Sequence, residues 1–121
     1  MARFRLSRPA QPDLRHILAT SAERWGSEGR RRYAAILTAA MRKVAAEPNG
    51  SATRDRAELL PGIRSFHIRH ARRGDPETKV RKPVHIIFYR VVEPGLVEIL
   101  RVLHERMEPS GHTGALSEER D

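Results

Sequence analysis

Apolar and polar positions alternate from Arg3 to Ser7, with Phe4 and Leu6 on one side and Arg3 and Arg5 on the other. This is the period of a short, half-buried strand. Ser7 to Pro12 then carries helix-start chemistry, because Pro9 and Pro12 are tolerated only in or before a first turn. Leu14, Ile17, Leu18, Ala22 and Trp25 follow at helical spacing up to Gly26. Tyr33, Ile36, Leu37, Ala40, Met41 and Val44 form a second stripe, which Pro48-Asn49-Gly50 stops. Two helices are expected, near 9–25 and 27–47, joined tightly enough to make a hairpin with Trp25 and Tyr33 packed between its arms.

Ser51 to Gly62 is polar and irregular, and after it the period becomes that of strands. Ile63 to His70 alternates around Phe66 and Ile68. Val84 to Val92 and Leu96 to His104 are apolar on both faces, which places them inside a sheet, and Glu93-Pro94-Gly95 between them has the residue order of a type II turn. The expected class is α+β, ordered β-α-α-β-β-β, with the helical hairpin packed on one face of a small antiparallel sheet. One hairpin covers one face, so a partner segment is expected over the apolar surface left open. Ala71 to Lys82 is too long for a tight turn and is expected as a mobile loop or projecting hairpin tip. The domain is expected over 1–108. Residues 109–121, rich in Gly, Ser and Glu, read as a disordered tail.

Composition narrows the function classes. The 121 residues suit one domain, and 23 Lys+Arg against 15 Asp+Glu leave a net charge of +8. Such an excess favours acidic partners, whether nucleic acid or an acidic protein surface. With no cysteine there is no disulfide scaffold, no Cys-based zinc site and no cysteine nucleophile. No apolar run follows the charged start, and none approaches the roughly 18 residues of a membrane span. A cytoplasmic domain without membrane association is expected.

Three groups of residues could carry chemistry. The first is Arg101, His104, Glu105 and Arg106, where the last strand ends. Strict alternation puts Arg101 with Ile99 and Leu103 on one face and His104 with Leu100 and Val102 on the other. Two readings stay open: a cationic site with a general base, or a strand end in which Arg101 pairs with Glu98 or Asp13. The second group is Arg64, His67, Arg69, His70, Arg72 and Arg73, with Lys79, Arg81, Lys82 and His85 on the return side of the long loop. It would suit phosphates or a solvated, aggregation-resistant edge. With three Phe, two Tyr and one Trp, most of them expected in the core, sequence-specific stacking on RNA is disfavoured. The third group is His67, His70, His85 and His104, candidates to cluster once the strands pair. Without a paired spacing on a helix they give no metal signature, and neither metal nor cofactor is expected.

Four stretches together resemble the ParE-type toxins of the RelE/ParE superfamily. They are Asp13-Leu14…Ile17…Trp25-Gly26, Leu60-Pro61-Gly62-Ile63-Arg64-Ser65-Phe66, Ile86-Ile87-Phe88-Tyr89-Arg90-Val91 and Glu98 through Arg106, in family order over about residues 3–108. The resemblance implies the toxin of a type II toxin–antitoxin system, inhibiting DNA gyrase without hydrolytic chemistry of its own. It also implies a ParD-like ribbon-helix-helix antitoxin, a hetero-oligomer with it, and operator DNA contacted only through it. Arg64, Arg90, Arg101, His104 and Arg106 are then the target-binding candidates, with no catalytic residue. The sister RelE branch, a ribosome-dependent mRNA endonuclease, is the alternative. In it His104, Arg106, His67 and Arg69 would be catalytic, Ile86 stands where that branch has an arginine, and no tyrosine follows Tyr89. A third possibility is a non-toxic module that only binds an antitoxin.

Overall fold

The computed structural model describes residues 2–72, 74 and 76–107. Strand β1 (Arg3–Leu6) leads into helix α1 (Ala10–Ala46), followed by β2 (Arg54–Asp55), β3 (Arg64–His67), β4 (His85–Glu93) and β5 (Leu96–His104). Short 3-10 turns lie at Ile68–Ala71 and Pro76–Thr78. The strands make one sheet in the order β1-β5-β4-β3-β2. The class is α+β, as the periodicities require. The tail expected at 109–121 lies outside the described residues.

Ser7 sets the start of α1. Its Oγ accepts the Ala10 N–H at 3.2 Å, and its own proton goes to the Leu100 carbonyl at 2.8 Å, tying the helix start to β5. The helix is interrupted at Gly26, whose φ of 73° and ψ of −173° lie outside the helical region and suit glycine alone. Beyond this break the arms run side by side. Leu14 and Leu18 share a groove with Arg30, and Asp13 shares another with Tyr33. Tyr33, Ile36, Leu37, Ala40 and Val44 bury against Phe66, Ile87, Tyr89, Val97, Ile99 and Val102 of the sheet. Trp25 is not among them: it is 58% exposed, so the expectation that it packs between the arms is corrected. It stands at the end of the first arm, beside the Gly26 break, in an exposed stretch from Glu23 to Glu28.

The sheet departs from expectation in five ways. A fifth strand, the two-residue β2, joins its edge by pairing with β3, Arg54 opposite Ser65, in the stretch read as irregular. β3, β4 and β5 form the expected antiparallel meander, but β1 pairs with β5 in parallel, Arg3 opposite Leu96 and Leu6 opposite Ile99. The sheet is therefore mixed, not antiparallel, because hydrophobic period carries no information on strand direction. β3 ends at His67, and Ile68 to Ala71 turn instead into a 3-10 segment that buries Ile68 and Ala71. The face away from α1 is not left open for a partner. Leu59 and Ile63, from the stretch that looked merely irregular, bury with Phe88, Leu100 and Leu103, and Leu60 and Ile86 pack at the edge. Finally, the described part of the long loop does not project. Thr78 is 2% exposed, and Val80 packs on the main core.

Candidate functional site

Phe88 stands opposite Arg101 while Tyr89 stands opposite Ile99, so β5 carries one extra residue there, a β-bulge. The bulge reverses the alternation expected beyond it. Ile99 and Val102 belong to the helix-side core, whereas Leu100 and Leu103 belong to the opposite one. It also leaves the Val102 N–H facing α1. Asp13, in the first turn of α1, accepts that N–H at 3.0 Å and takes the Arg101 guanidinium in a two-pronged pair, Nε to Oδ2 at 2.8 Å and Nη2 to Oδ1 at 2.9 Å. Of the two partners considered for Arg101, Asp13 is the one found. The Asp13 carboxylate holds the Arg101 guanidinium above its already high value. Glu98, 5% exposed, is occupied by Arg5 and Arg90 instead.

Arg101 and His104 therefore converge after all. Both line a hollow of about 440 Å³ between α1 and the end of β5, together with Asp13, Tyr33, His85 and Trp25. The Tyr33 hydroxyl accepts the Val84 N–H at 3.1 Å and lies 2.6 Å from His85 Nδ1, so it donates its own proton there and the neutral ring carries its hydrogen on Nε2. Burial, then the neighbouring His104 and His67 rings, push the His85 pKa down to about 4. Burial likewise raises the Tyr33 phenol. The His85 and His104 rings meet edge to face at 5.6 Å, and His104 Nδ1 accepts the Arg106 N–H at 3.0 Å. Arg106 and Met107 lie exposed just past the strand.

The remaining candidates lie elsewhere. His67 is on the opposite face, in a second hollow of about 250 Å³ lined by Arg54, Arg56, Arg69, His70 and Glu105. Its Nδ1 accepts the Arg69 N–H, which leaves Nε2–H for Glu105 Oε1 at 2.8 Å, and this bond holds the Glu105 carboxyl low. His70 sits beside Phe66, its pKa lowered by burial and then by Arg69. The four histidines thus divide between the faces, and among the described residues no group of three or more His, Asp or Glu is placed to hold a metal ion. Arg64 donates to Thr53 Oγ1 at 2.8 Å and Arg90 to Glu98, so neither reaches the hollow at the end of β5. Sequence reasoning missed Tyr33 as the ligand of His85. The missed signal was a tyrosine inside an otherwise aliphatic stripe, since a buried hydroxyl requires a partner. Among the described residues no helix is long and apolar enough to cross a membrane.

Comparison with known proteins agrees with this frame. The family described as "ParE toxin of type II toxin-antitoxin system, parDE" matches residues 4–109. Toxin ParE1 of Caulobacter vibrioides is 36% identical over 115 residues, covering 94% of this chain and 100% of that protein. Toxin ParE1 of Mycobacterium tuberculosis is 32% identical over 107 residues, covering 88% and 93%. Toxin ParE of Escherichia coli is 31% identical over 110 residues, 89% of each.

Proposed function

The chain belongs to the ParE toxins of type II toxin–antitoxin systems, and from that premise we propose that it acts by binding, inhibiting DNA gyrase, and is neutralised in the cytoplasm by a ParD-like antitoxin with which it forms a hetero-oligomer. Operator DNA is met through that antitoxin. One observation carries the choice of binding over hydrolysis. The residues a RelE-like nuclease would use are split by the sheet, His104 in the hollow under α1 and His67 with Arg69 in the hollow on the other face. A ribonuclease needs its base and its phosphate-binding cations around one scissile bond. Inhibition needs only a surface that favours one state of the target.

In this proposal the contact is centred on the exit of β5. Arg106 and Met107 meet the target, His104 shapes the turn that presents them, and Arg101 acts through Asp13, fixing the bulge from which the exit departs. Arg64 and Arg90, drawn into Thr53 and Glu98, support the sheet. The test is gyrase supercoiling and DNA-cleavage assays with purified toxin, run beside cleavage of ribosome-bound mRNA. Inhibition of supercoiling that Arg106→Ala weakens in a salt-dependent way, with mRNA intact, is the expected result. Cleaved ribosomal mRNA with unaffected gyrase would reverse it.

A further inference from the structure

The feature the toxin fold leaves unexplained is Trp25. It is the only tryptophan of the chain and the most exposed large apolar side chain among the described residues, at 58%. It contributes little to the core. The backbone approaches closely beside it: a Cβ added at Gly29 would fall 2.3 Å from Trp25 Cβ, so Gly29 is required by the tight turn next to the Gly26 break. The indole forms a ridge between the hollow at the end of β5 and a neighbouring one of about 520 Å³ lined by Glu28, Arg32, Lys79, Arg81 and Lys82. Glu28, among the described residues the single carboxylate lining that second hollow, is already shared by Arg31 and Arg32. Arg24, Lys79, Arg81 and Lys82 are exposed, and among the described residues their ties to carboxylates are weak: Lys82 helps hold the Glu105 carboxyl low without forming an ion pair with it.

We propose that this ridge is a docking site for unpaired DNA, a base stacking on the Trp25 indole while Arg24, Lys79, Arg81 and Lys82 hold the flanking phosphates. An exposed aromatic plane between unpaired cations is the chemistry of a single-strand platform, which needs no base-specific hydrogen bonds. An amphipathic helix of a protein partner fits this place poorly. Apart from Trp25, the apolar lining of the cationic hollow is the half-buried Val80 and the buried Tyr33, whereas such a helix requires a row of apolar contacts. That row exists elsewhere, in the groove of Leu6, Leu14, Leu18 and Ala19. The choice of DNA over RNA rests on the gyrase proposal above, in which the target holds DNA. The stacking site itself rests on Trp25 and its cations.

The test is a titration of the intrinsic fluorescence of the full chain with a dodecamer of deoxythymidine, with no gyrase present. Failure here therefore cannot be mistaken for failure to inhibit gyrase. Because the chain has one tryptophan, quenching of emission excited at the red edge, where its two tyrosines do not absorb, reports this ridge. Saturable quenching by the dodecamer is expected, stronger than with a blunt duplex of the same length. In a parallel anisotropy titration with labelled dodecamer, Trp25→Ala should raise the Kd by roughly 5- to 150-fold. Lys79→Ala and Lys82→Ala should each lower the slope of log K against log salt by about 0.7. Circular dichroism of the variants confirms that they fold, Trp25 and the lysines being exposed. An emission unmoved by the dodecamer would overturn the proposal, as would equal quenching by polyglutamate or binding of an oligouridine alone.

Discussion

The two faces of the sheet bury similar side chains under different covers. On one, the two arms of α1 lay Ile17 and the stripe from Tyr33 to Val44 over Phe66, Ile87, Tyr89 and Val102, and at its edge Asp13 and Tyr33 reach into the strands as hydrogen-bond partners. On the other, a few residues of irregular chain, Leu59 and Ile63, seal Phe88, Leu100 and Leu103, and Arg56 lies over the Phe88 ring with its guanidinium carbon 5.5 Å from the centroid. The helix supplies both apolar area and polar partners. The loop supplies less apolar area and fewer polar partners: the Arg56 guanidinium over Phe88, which also pairs with Glu58 at 2.7 Å, and Thr53, which accepts Arg64. The faces should therefore respond differently to damage.

The largest effect is expected at Asp13. Asp13→Ala strands the mostly buried Arg101 guanidinium and the Val102 N–H together, and breaking such a pair costs roughly 3–5 kcal/mol. Urea unfolding measures it, and a loss under about 1 kcal/mol would show that the bulge holds without its carboxylate. Next comes a matched pair of truncations. Leu37→Ala under α1 should cost roughly 2–5 kcal/mol, and Leu59→Ala, at the rim of the loop-covered face, should fall at or below the low end of that range because the loop can collapse onto the space. Equal losses would mean that the two covers are equally rigid.

Smaller, and specific to the helix side, is a pH effect from His85. An unfolded His85 takes up a proton near 6.5, whereas the folded ring, facing Tyr33, His104, His67, Glu105 and Asp13, resists it until about pH 4. Stability is therefore whole above about 6.5 and falls as the pH is lowered toward 4, by at most one proton's worth of slope. His85→Asn, which keeps an acceptor for the Tyr33 hydroxyl without titrating, should make that fall shallower in melting experiments between pH 7 and 4.5. Part of the fall should persist from His70, whose pKa is also lowered. The smallest effect belongs to the far face. Glu105→Gln should leave the melting temperature unchanged within error, because the carboxylate that meets His67 is a surface group.

The same contrast separates what the chain's pattern discloses from what it conceals. Local signals were legible: Gly26 as the break between the arms, Gly95 with its φ of 82° in the Pro-Gly turn, Asp13 as a partner for Arg101. The helix-covered face was legible because its stripe repeats. The loop-covered face was not, since Leu59, Leu60 and Ile63 have no period until β3 to β5 have placed Phe88 and Leu103 beneath them. The bulge at Leu100 is a property of pairing with Phe88 and Tyr89, not of β5 alone, so alternation placed Arg101 and His104 apart when they share a hollow. Trp25 fits the helical stripe by spacing, but it sits at the end of the first arm, where the chain has run past the core.

The parallel seam between β1 and β5 also sets a timetable. Arg5 meets Glu98 across it, 93 positions later in the chain, and among the described residues β1 has no other strand beside it. A ribosome adding about 5–20 residues per second takes roughly 5–20 seconds to cover that interval. Until then the two arms of α1 can form, but the strand that anchors Ser7, receives Asp13 and carries the exit at Arg106 does not yet exist. The sheet of the nascent chain therefore stays incomplete until β5 has emerged, and the β5 exit at Arg106 takes shape only then.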